Sequence, residues 1–168
     1  LVRSRGLGDV YKRQNISSFK GAVNMHISTK CSIAIHCLIF IYEYGEEKRI
    51  TSELLSLSTG CNPVTVRNIM SALKKDNIIS VKFGSGGAKI CCPLDKISLY
   101  RICKAVEPDM LNKLIGIHSA PSPLCPIGRN IHAVLDKSYE KIRIDLVESL
   151  NAITMKEIID NYRYKEAE

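Results

Sequence analysis

An asparagine followed by a proline at positions 62 and 63 does more than any other pair of residues to limit what this chain can become. Asn is a good helix N-cap because its side-chain oxygen accepts a backbone N–H of the first turn, and Pro suits the first helical position, where no donor is needed. A helix therefore begins at Pro63. Over its next turns Val66, Ile69, Met70 and Leu73 make an apolar face, which leaves Val64, Thr65, Arg67, Asn68, Ser71, Lys74 and Lys75 pointing outward or sideways. The outward face is polar and basic.

The neighbouring segments fit around this helix. Residues 33–42 are apolar nearly all round and suit a buried helix of about four turns starting at Ser28 and ended by Gly45. After the charged cluster 46–49, which reads as a solvated loop, the Thr51 and Ser52 hydroxyls cap a short helix through Leu54, Leu55 and Leu57, closed by Gly60. Downstream, 78–83 and 89–92 read as two strands around a turn at 84–87. Pro93 breaks the second strand, and Ser98 caps a fourth helix carrying Leu99, Ile102, Ala105 and Val106. Residues 116–128 hold three Pro, two Gly and two Ser and read as an irregular loop. Beyond it Ile131, Leu135, Ile142, Leu146 and Leu150 recur at four and seven spacings, the stripe of one long amphipathic helix over about 130–150. Thr154 with Glu157 is a capping box for a last helix to about Tyr162.

Charge sharpens the picture. The chain carries 24 Lys and Arg against 17 Asp and Glu, a net +7, and its 45% hydrophobic content supports a core rather than a disordered tail. Residues 61–92 hold five basic residues against one acidic, while 25–60 are slightly acidic and 93–168 balance. A localised excess of this kind is the footprint expected for a polyanion. The other basic stretch is the N-terminus. Its first fourteen residues lack apolar periodicity and resemble translated sequencing-adapter DNA, which would place the native start at Met25; the competing reading is a basic arm reaching into a DNA groove. Residues 1–24 are therefore set apart from the fold.

Two short helices joined at Gly60, the second with a basic face and followed by a glycine-tipped hairpin, follow the order of a winged helix-turn-helix. DNA is the natural ligand. Major-groove reading needs short polar and guanidinium groups near the N-terminus of the second helix, and in the segment opened by Asn62 and Pro63 the residues Val64, Thr65, Arg67 and Asn68 have the right types at the right end. Arg67 suits a guanine and Asn68 an adenine, while Thr65 and Val64 suit a phosphate or a thymine methyl. Ser28, Thr29, Lys30, Thr51, Lys74, Lys82 and Lys89 are candidates for phosphate contacts, with the wing-tip residues Ser85, Gly86 and Gly87 laying backbone N–H groups along the DNA. The glycine-rich tip is not a nucleotide phosphate loop, because Ala88 intervenes before Lys89 and strand-like residues follow.

The seven cysteines (31, 37, 61, 91, 92, 103 and 125) form no Cys-x-x-Cys pair, which argues against a disulfide framework or zinc ribbon. Cys31, Cys37 and Cys103 sit on apolar faces and read as small core residues. Cys91 and Cys92 are adjacent on the expected strand, so their side chains should point to opposite faces. His26, His36 and His132 lack the partners of a metal site, and no Ser/His/Asp or paired-carboxylate set argues for an enzyme. The longest apolar run has ten residues against the roughly 20 that span a bilayer, so no membrane partner is expected and the chain reads as cytoplasmic.

From Met25 to about Tyr162 the chain resembles the Rrf-two family of bacterial winged-helix transcription regulators, whose members include an iron–sulfur cluster regulator, a nitric-oxide-sensing repressor and a cysteine-metabolism repressor. The matching residues are Ile27-Ser28-Thr29-Lys30, then Asn62-Pro63-Val64-Thr65-Val66-Arg67, and Leu73-Lys74-Lys75-Asp76-Asn77-Ile78-Ile79. They continue with Val81-Lys82 and Gly86-Gly87 in the wing, and with Ile97-Ser98-Leu99 and Lys104-Ala105-Val106-Glu107 in the fourth helix. The wing departs from the family at Phe83, where Gly is usual, and at Ala88, where an aromatic is usual.

The resemblance implies a winged helix-turn-helix domain at 25–107, a sensor-type loop at 108–129 and a dimerisation segment at 130–168. It further implies a homodimeric repressor joined through Ile131, Leu135, Ile142, Leu146 and Leu150, on a palindromic site with half-sites ~34–36 Å apart. Cluster-binding members bring three Cys together in that loop, because several thiolates must converge on iron. Here only Cys125 stands there, in Leu124-Cys125-Pro126-Ile127-Gly128, with His118 the one other ligand-type side chain. The expectation is therefore no cofactor, with Cys125 and His118 as a possible sensor pair. The alternative is a winged-helix module that binds a partner protein without specific DNA recognition.

Overall fold

The computed structural model describes residues 27–82 and 87–167. The N-terminal segment 1–24 and the wing-tip residues Ser85 and Gly86 lie outside it. In chain order the elements are α1 (Thr29–Tyr44), α2 (Ser52–Thr59), α3 (Pro63–Lys75), β1 (Ile79–Lys82), β2 (Gly87–Ile90), a 3₁₀ turn at Leu94–Lys96, α4 (Leu99–Val106), α5 (Met110–Leu114), α6 (Pro126–Ala152) and α7 (Met155–Glu166). This is a mainly helical winged helix-turn-helix with a two-stranded antiparallel wing and a long C-terminal helix.

Most helices start where a side chain can satisfy the orphan N–H groups of the first turn. Ser28 accepts from the Lys30 amide, Thr51 from Leu54, Asn62 from Val64, Ser98 from Arg101 and Thr154 from Glu157. Gly60 ends α2 at φ +67°, a left-handed conformation that lets the chain turn directly into Asn62 and α3.

The core is a single layer of side chains gathered around α1. Cys31, Ala34, Cys37, Leu38 and Ile41 of α1 pack with Leu55 of α2, with Val66, Ile69 and Leu73 of α3, and with Ile102 and Cys103 of α4. The three cysteines expected on apolar faces are all buried there. The wing is tied into the same layer, since Ile78, Ile79 and Ala88 are buried and the Ala88 amide donates to the Ile50 carbonyl at 3.1 Å. The C-terminal segment closes over the other side. Met155 N–H donates to Ile97 O and Leu99 N–H to Ile153 O, both at 2.8 Å, and Met155 and Ile159 enter the core.

Three sequence expectations need correction. The segment 108–129, expected as a sensor-type loop, contains α5 and the first turn of α6, so the long helix begins at Pro126 rather than near residue 130. Leu150, expected in the dimer interface, is 4% exposed and packs into the core of its own chain, at the C-terminal end of α6. The second strand ends at Ile90, so Cys91 and Cys92 follow it rather than belong to it.

Gly87 is also not a free wing residue. It pairs with Lys82 across the hairpin, is buried, and adopts φ +62° with its Cα against Ile50. A Cβ there would stand 2.7 Å from the Ile50 amide nitrogen. Gly87→Ala combines an unfavourable backbone conformation with a clash against backbone, and should lower unfolding free energy by about 1–3 kcal/mol in urea denaturation.

Candidate nucleic-acid interface

The candidate site is built on α3. Val66, Ile69, Met70 and Leu73 are its buried residues, so the opposite side is held toward solvent by the core beneath it. Val64, Arg67 and Asn68 are exposed and Thr65 is half-buried at the helix's N-terminal end. Asn62 does not project into the site as a free amide, because its Oδ1 accepts from the Val64 amide at 2.8 Å. Its role is to fix the entry of α3.

Two grooves flank this face. On one side Lys30 at the start of α1 comes together with Thr65, Asn68 and Ala72 of α3 and Val106 of α4. On the other, an open cleft of about 410 Å³ runs between α2, α3 and the wing, and Arg49, Arg67, Lys74 and Lys82 all line it. Four cations from three separate elements thus converge on one surface, an arrangement suited to phosphates. Arg49 was read as part of a solvated loop. Only the fold brings it beside the wing, where its side chain packs against Gly87.

Several of the basic residues are held by carboxylates. Arg67 Nη2 donates to Glu53 Oε1 at 3.1 Å, Lys30 Nζ to Glu107 at 3.1 Å, and Lys89 Nζ to Glu46 at 2.9 Å. The Arg67–Glu53 and Lys89–Glu46 pairs are solvent-exposed, where an ion pair contributes little to stability, whereas the Glu107 side chain is only 14% exposed. Their effect is on position. Glu53 is the partner that sequence reasoning missed, since Glu53 and Arg67 lie fourteen residues apart and meet only because α2 and α3 pack as a helix-turn-helix. Ser28 and Thr51 serve as helix caps, and Thr29 and Lys82 are exposed at the rim.

The loop before α6 presents a different chemistry. Cys125 is exposed and occupies the N-cap position of α6, with Pro126 following it. Gly128 lets this turn close, because a Cβ on it would lie 2.7 Å from the Ser122 carbonyl oxygen. The segment is tethered further along by His132, whose Nε2 is 2.7 Å from the His118 carbonyl oxygen. Among the described residues no group of three or more His, Cys, Asp or Glu is placed to hold a metal ion. One thiol and one imidazole do not make the donor set an iron–sulfur cluster requires. No helix among the described residues is long and apolar enough to cross a membrane.

Glu53 also carries a measurable signature. Its own backbone amide, then Arg67, then the Ser52 hydroxyl hold its carboxyl down at about 2, against an ordinary value of 4.5. A depressed carboxylate keeps its interactions above its unfolded value and loses them as pH falls through the folded one. The Glu53–Arg67 pair should therefore be intact at pH 4.5 and open only near pH 2. In carboxyl NMR titrations, Arg67→Ala should raise the Glu53 midpoint only part of the way to 4.5, because the backbone hydrogen bond is the largest cause.

Comparison with known proteins places this geometry. YwnA of Bacillus subtilis (strain 168), named as an HTH-type transcriptional regulator, is 30% identical over 135 residues, covering 80% of this chain and 98% of YwnA. A crystal structure named as that of a DNA-binding protein superposes with a TM-score of 0.62 at 28% identity, covering 77% of this chain and 98% of that one. The oxidised form of CymR from Staphylococcus aureus shares the fold with a TM-score of 0.59 at 18% identity, over 80% of this chain and 96% of CymR. The Rrf2 family model, described as an iron-dependent transcriptional regulator, matches residues 27–161. The chain is a member of the Rrf2 family of transcriptional regulators, the Rrf-two family that its motifs resemble.

Proposed function

We propose that this protein is a cytoplasmic, homodimeric repressor that binds a palindromic operator through α3. The observation that carries the proposal is the exposed N-terminal face of α3, with Thr65, Arg67 and Asn68 set between two cation-bearing grooves. Arg67 reads a guanine and Asn68 an adenine, while Lys30, Lys74 and Lys82 hold phosphates. Lys89 joins them by exchanging Glu46 for a phosphate. Membership of a regulator family and the similarity to a DNA-binding protein support this assignment.

Dimerisation is supported by α6. The helix has 27 residues, about 40 Å at 1.5 Å per residue, yet Leu150 is its only fully buried residue. Val134 is 67% exposed, Ile142 50% and Ile144 49%, a concentration of apolar surface that a second copy would cover. Ile131 and Leu135 are half-buried along the same helix and belong to that interface, while Leu146, also half-buried, packs against the chain's own core as well. Leu150 lies outside that interface.

A second reading, recognition of a partner protein instead of DNA, is favoured by one observation: Arg67, Lys30 and Lys89 are already paired with Glu53, Glu107 and Glu46. Salt separates the two. DNA affinity should fall steeply between low and physiological salt because each phosphate contact releases a counterion, and log K should be linear in log salt. Binding to upstream DNA that is insensitive to salt would sink the repressor.

Three outcomes are expected. Arg67→Ala should cost ~1–3 kcal/mol on the cognate site and little on random DNA, in titrations by fluorescence anisotropy. Val134→Glu with Ile142→Glu should give a monomer by analytical ultracentrifugation without loss of helical circular dichroism. Exposed Cys125 acts as the sensor thiol, so Cys125→Ser should bind DNA normally but stop responding to oxidants or electrophiles in the same assay.

A further inference from the structure

Glu107 stands where α1, α4 and α5 meet. It follows Val106 at the end of α4, its backbone N–H donates to the Cys103 carbonyl at 2.8 Å, and its own carbonyl accepts the Met110 N–H at 3.0 Å. The main chain is therefore held on both sides. Its carboxylate takes one lysine on each oxygen: Lys30 Nζ of α1 at 3.1 Å from Oε2, and Lys113 Nζ of α5 at 2.5 Å from Oε1. The Glu107 side chain is 14% exposed, against 52% for Lys30 and 64% for Lys113. A carboxylate so shielded costs free energy unless it is paired. Lys113 first, and Lys30 after it, hold this one below the ordinary carboxylate value.

The two lysines differ in where they lie. Lys30 borders a small cavity of about 160 Å³ that Thr65 and Asn68 of α3 also line, with Val106 beside them. Its backbone is fixed there, because its amide donates to the Ser28 cap and the next residue, Cys31, is buried in the core that α1 shares with α4. Lys113 lines neither this cavity nor the cleft between α2, α3 and the wing. It belongs to α5, in the segment that leads to Cys125.

Charge decides what the arrangement does. One carboxylate and two ammonium groups leave one net positive charge beside Thr65 and Asn68, and Lys113 supplies the nearer compensation for Glu107. Without Lys113, Lys30 and Glu107 sum to zero, and a phosphate has to draw Lys30 away from a shielded carboxylate that has no second lysine. With a neutral residue in place of Glu107, Lys30 is released. We propose that Glu107 is a positioning residue for DNA binding, one that holds Lys30 beside Asn68 for a phosphate and yields it only because Lys113 remains behind.

This role rests on the reading of α3 and Lys30 as a DNA surface. It adds two residues that act on a phosphate contact without making one. A displacement of α5 reaches the interface through the same carboxylate, since Lys113 is carried by that helix.

The test measures affinity of the full chain for two duplexes, one from upstream of its own gene and a scrambled copy, by fluorescence anisotropy over a salt series. Lys113→Ala should weaken binding to both by roughly threefold or more per subunit and flatten log K against log salt by about 0.9 per subunit, the signature of one lost phosphate contact. Lys113→Arg should behave as wild type. Lys30→Ala should lose the same contact, and in that background Lys113→Ala should change nothing further. Glu107→Gln should tighten binding to both duplexes and make it indifferent to Lys113→Ala. An ion pair that merely ties α1 to α4 moves thermal stability and leaves the salt slope alone. Wild-type DNA binding by Lys113→Ala, or a loss that adds in full to that of Lys30→Ala, overturns the role of Glu107 and leaves the repressor standing. The Lys113 variants decide this even if Glu107→Gln fails to fold, because Lys113 is exposed and its removal leaves Glu107 paired with Lys30. Absence of salt-sensitive binding by the wild type overturns the repressor, and this role with it.

Discussion

The rotational setting of α3 about its own axis governs which side chains the candidate interface presents. Four side chains, Val66, Ile69, Met70 and Leu73, lock it against α1, α2 and α4, and Asn62 with Pro63 fixes where its first turn begins. A turn of the helix by one residue, about 100°, would bury Arg67 and expose Val66, and core packing forbids it. The exposed polar and basic face is thus a by-product of hydrophobic burial on the other side. The cleft beside it follows from the same lock, because α2 and the wing are seated on that core as well.

Electrostatics adds a second layer. Positive groups are gathered at the interface, but acidic side chains answer several of them locally: Glu53 for Arg67, Glu107 for Lys30 and Lys113, Glu46 for Lys89. The Glu53–Arg67 and Glu46–Lys89 contacts stand in water and are individually weak, whereas the Glu107 carboxylate is largely shielded and holds two lysines. These pairs orient flexible side chains and offset part of the positive charge gathered on that surface.

Much of the fold was legible because it is announced by local chemistry. Ser28, Thr51, Asn62, Ser98 and Thr154 all cap the helices their positions promised, and the apolar stripe of α3 reads directly as its buried face. What escaped has non-local causes. α5 has five residues and no side-chain cap, so neither periodicity nor punctuation reveals it. Pro126 and Gly128 look like loop residues, yet Pro occupies the first turn of α6 and Gly128 admits the Ser122 carbonyl. Leu150 belongs to the stripe by spacing but to the core by position. The Glu53–Arg67 pair is a tertiary fact, set by how α2 meets α3.

The attachment of α6 gives the protein a mechanical property. Its C-terminal end is clamped: Leu150 is in the core, Ser98 pairs with Thr154 across a β-bridge, and α7 returns to α1, where Arg163 grips Glu43 at 2.9 Å and lies over the Tyr42 ring. Its N-terminal end, with Cys125, packs far more lightly. A rod of about 40 Å fixed at one end is a lever, and a tilt of a few degrees displaces its tip by roughly two ångströms. Within one chain, a force applied near Cys125 would act through that whole arm on the base of the rod, where α6 packs on α4 and α4 on α3.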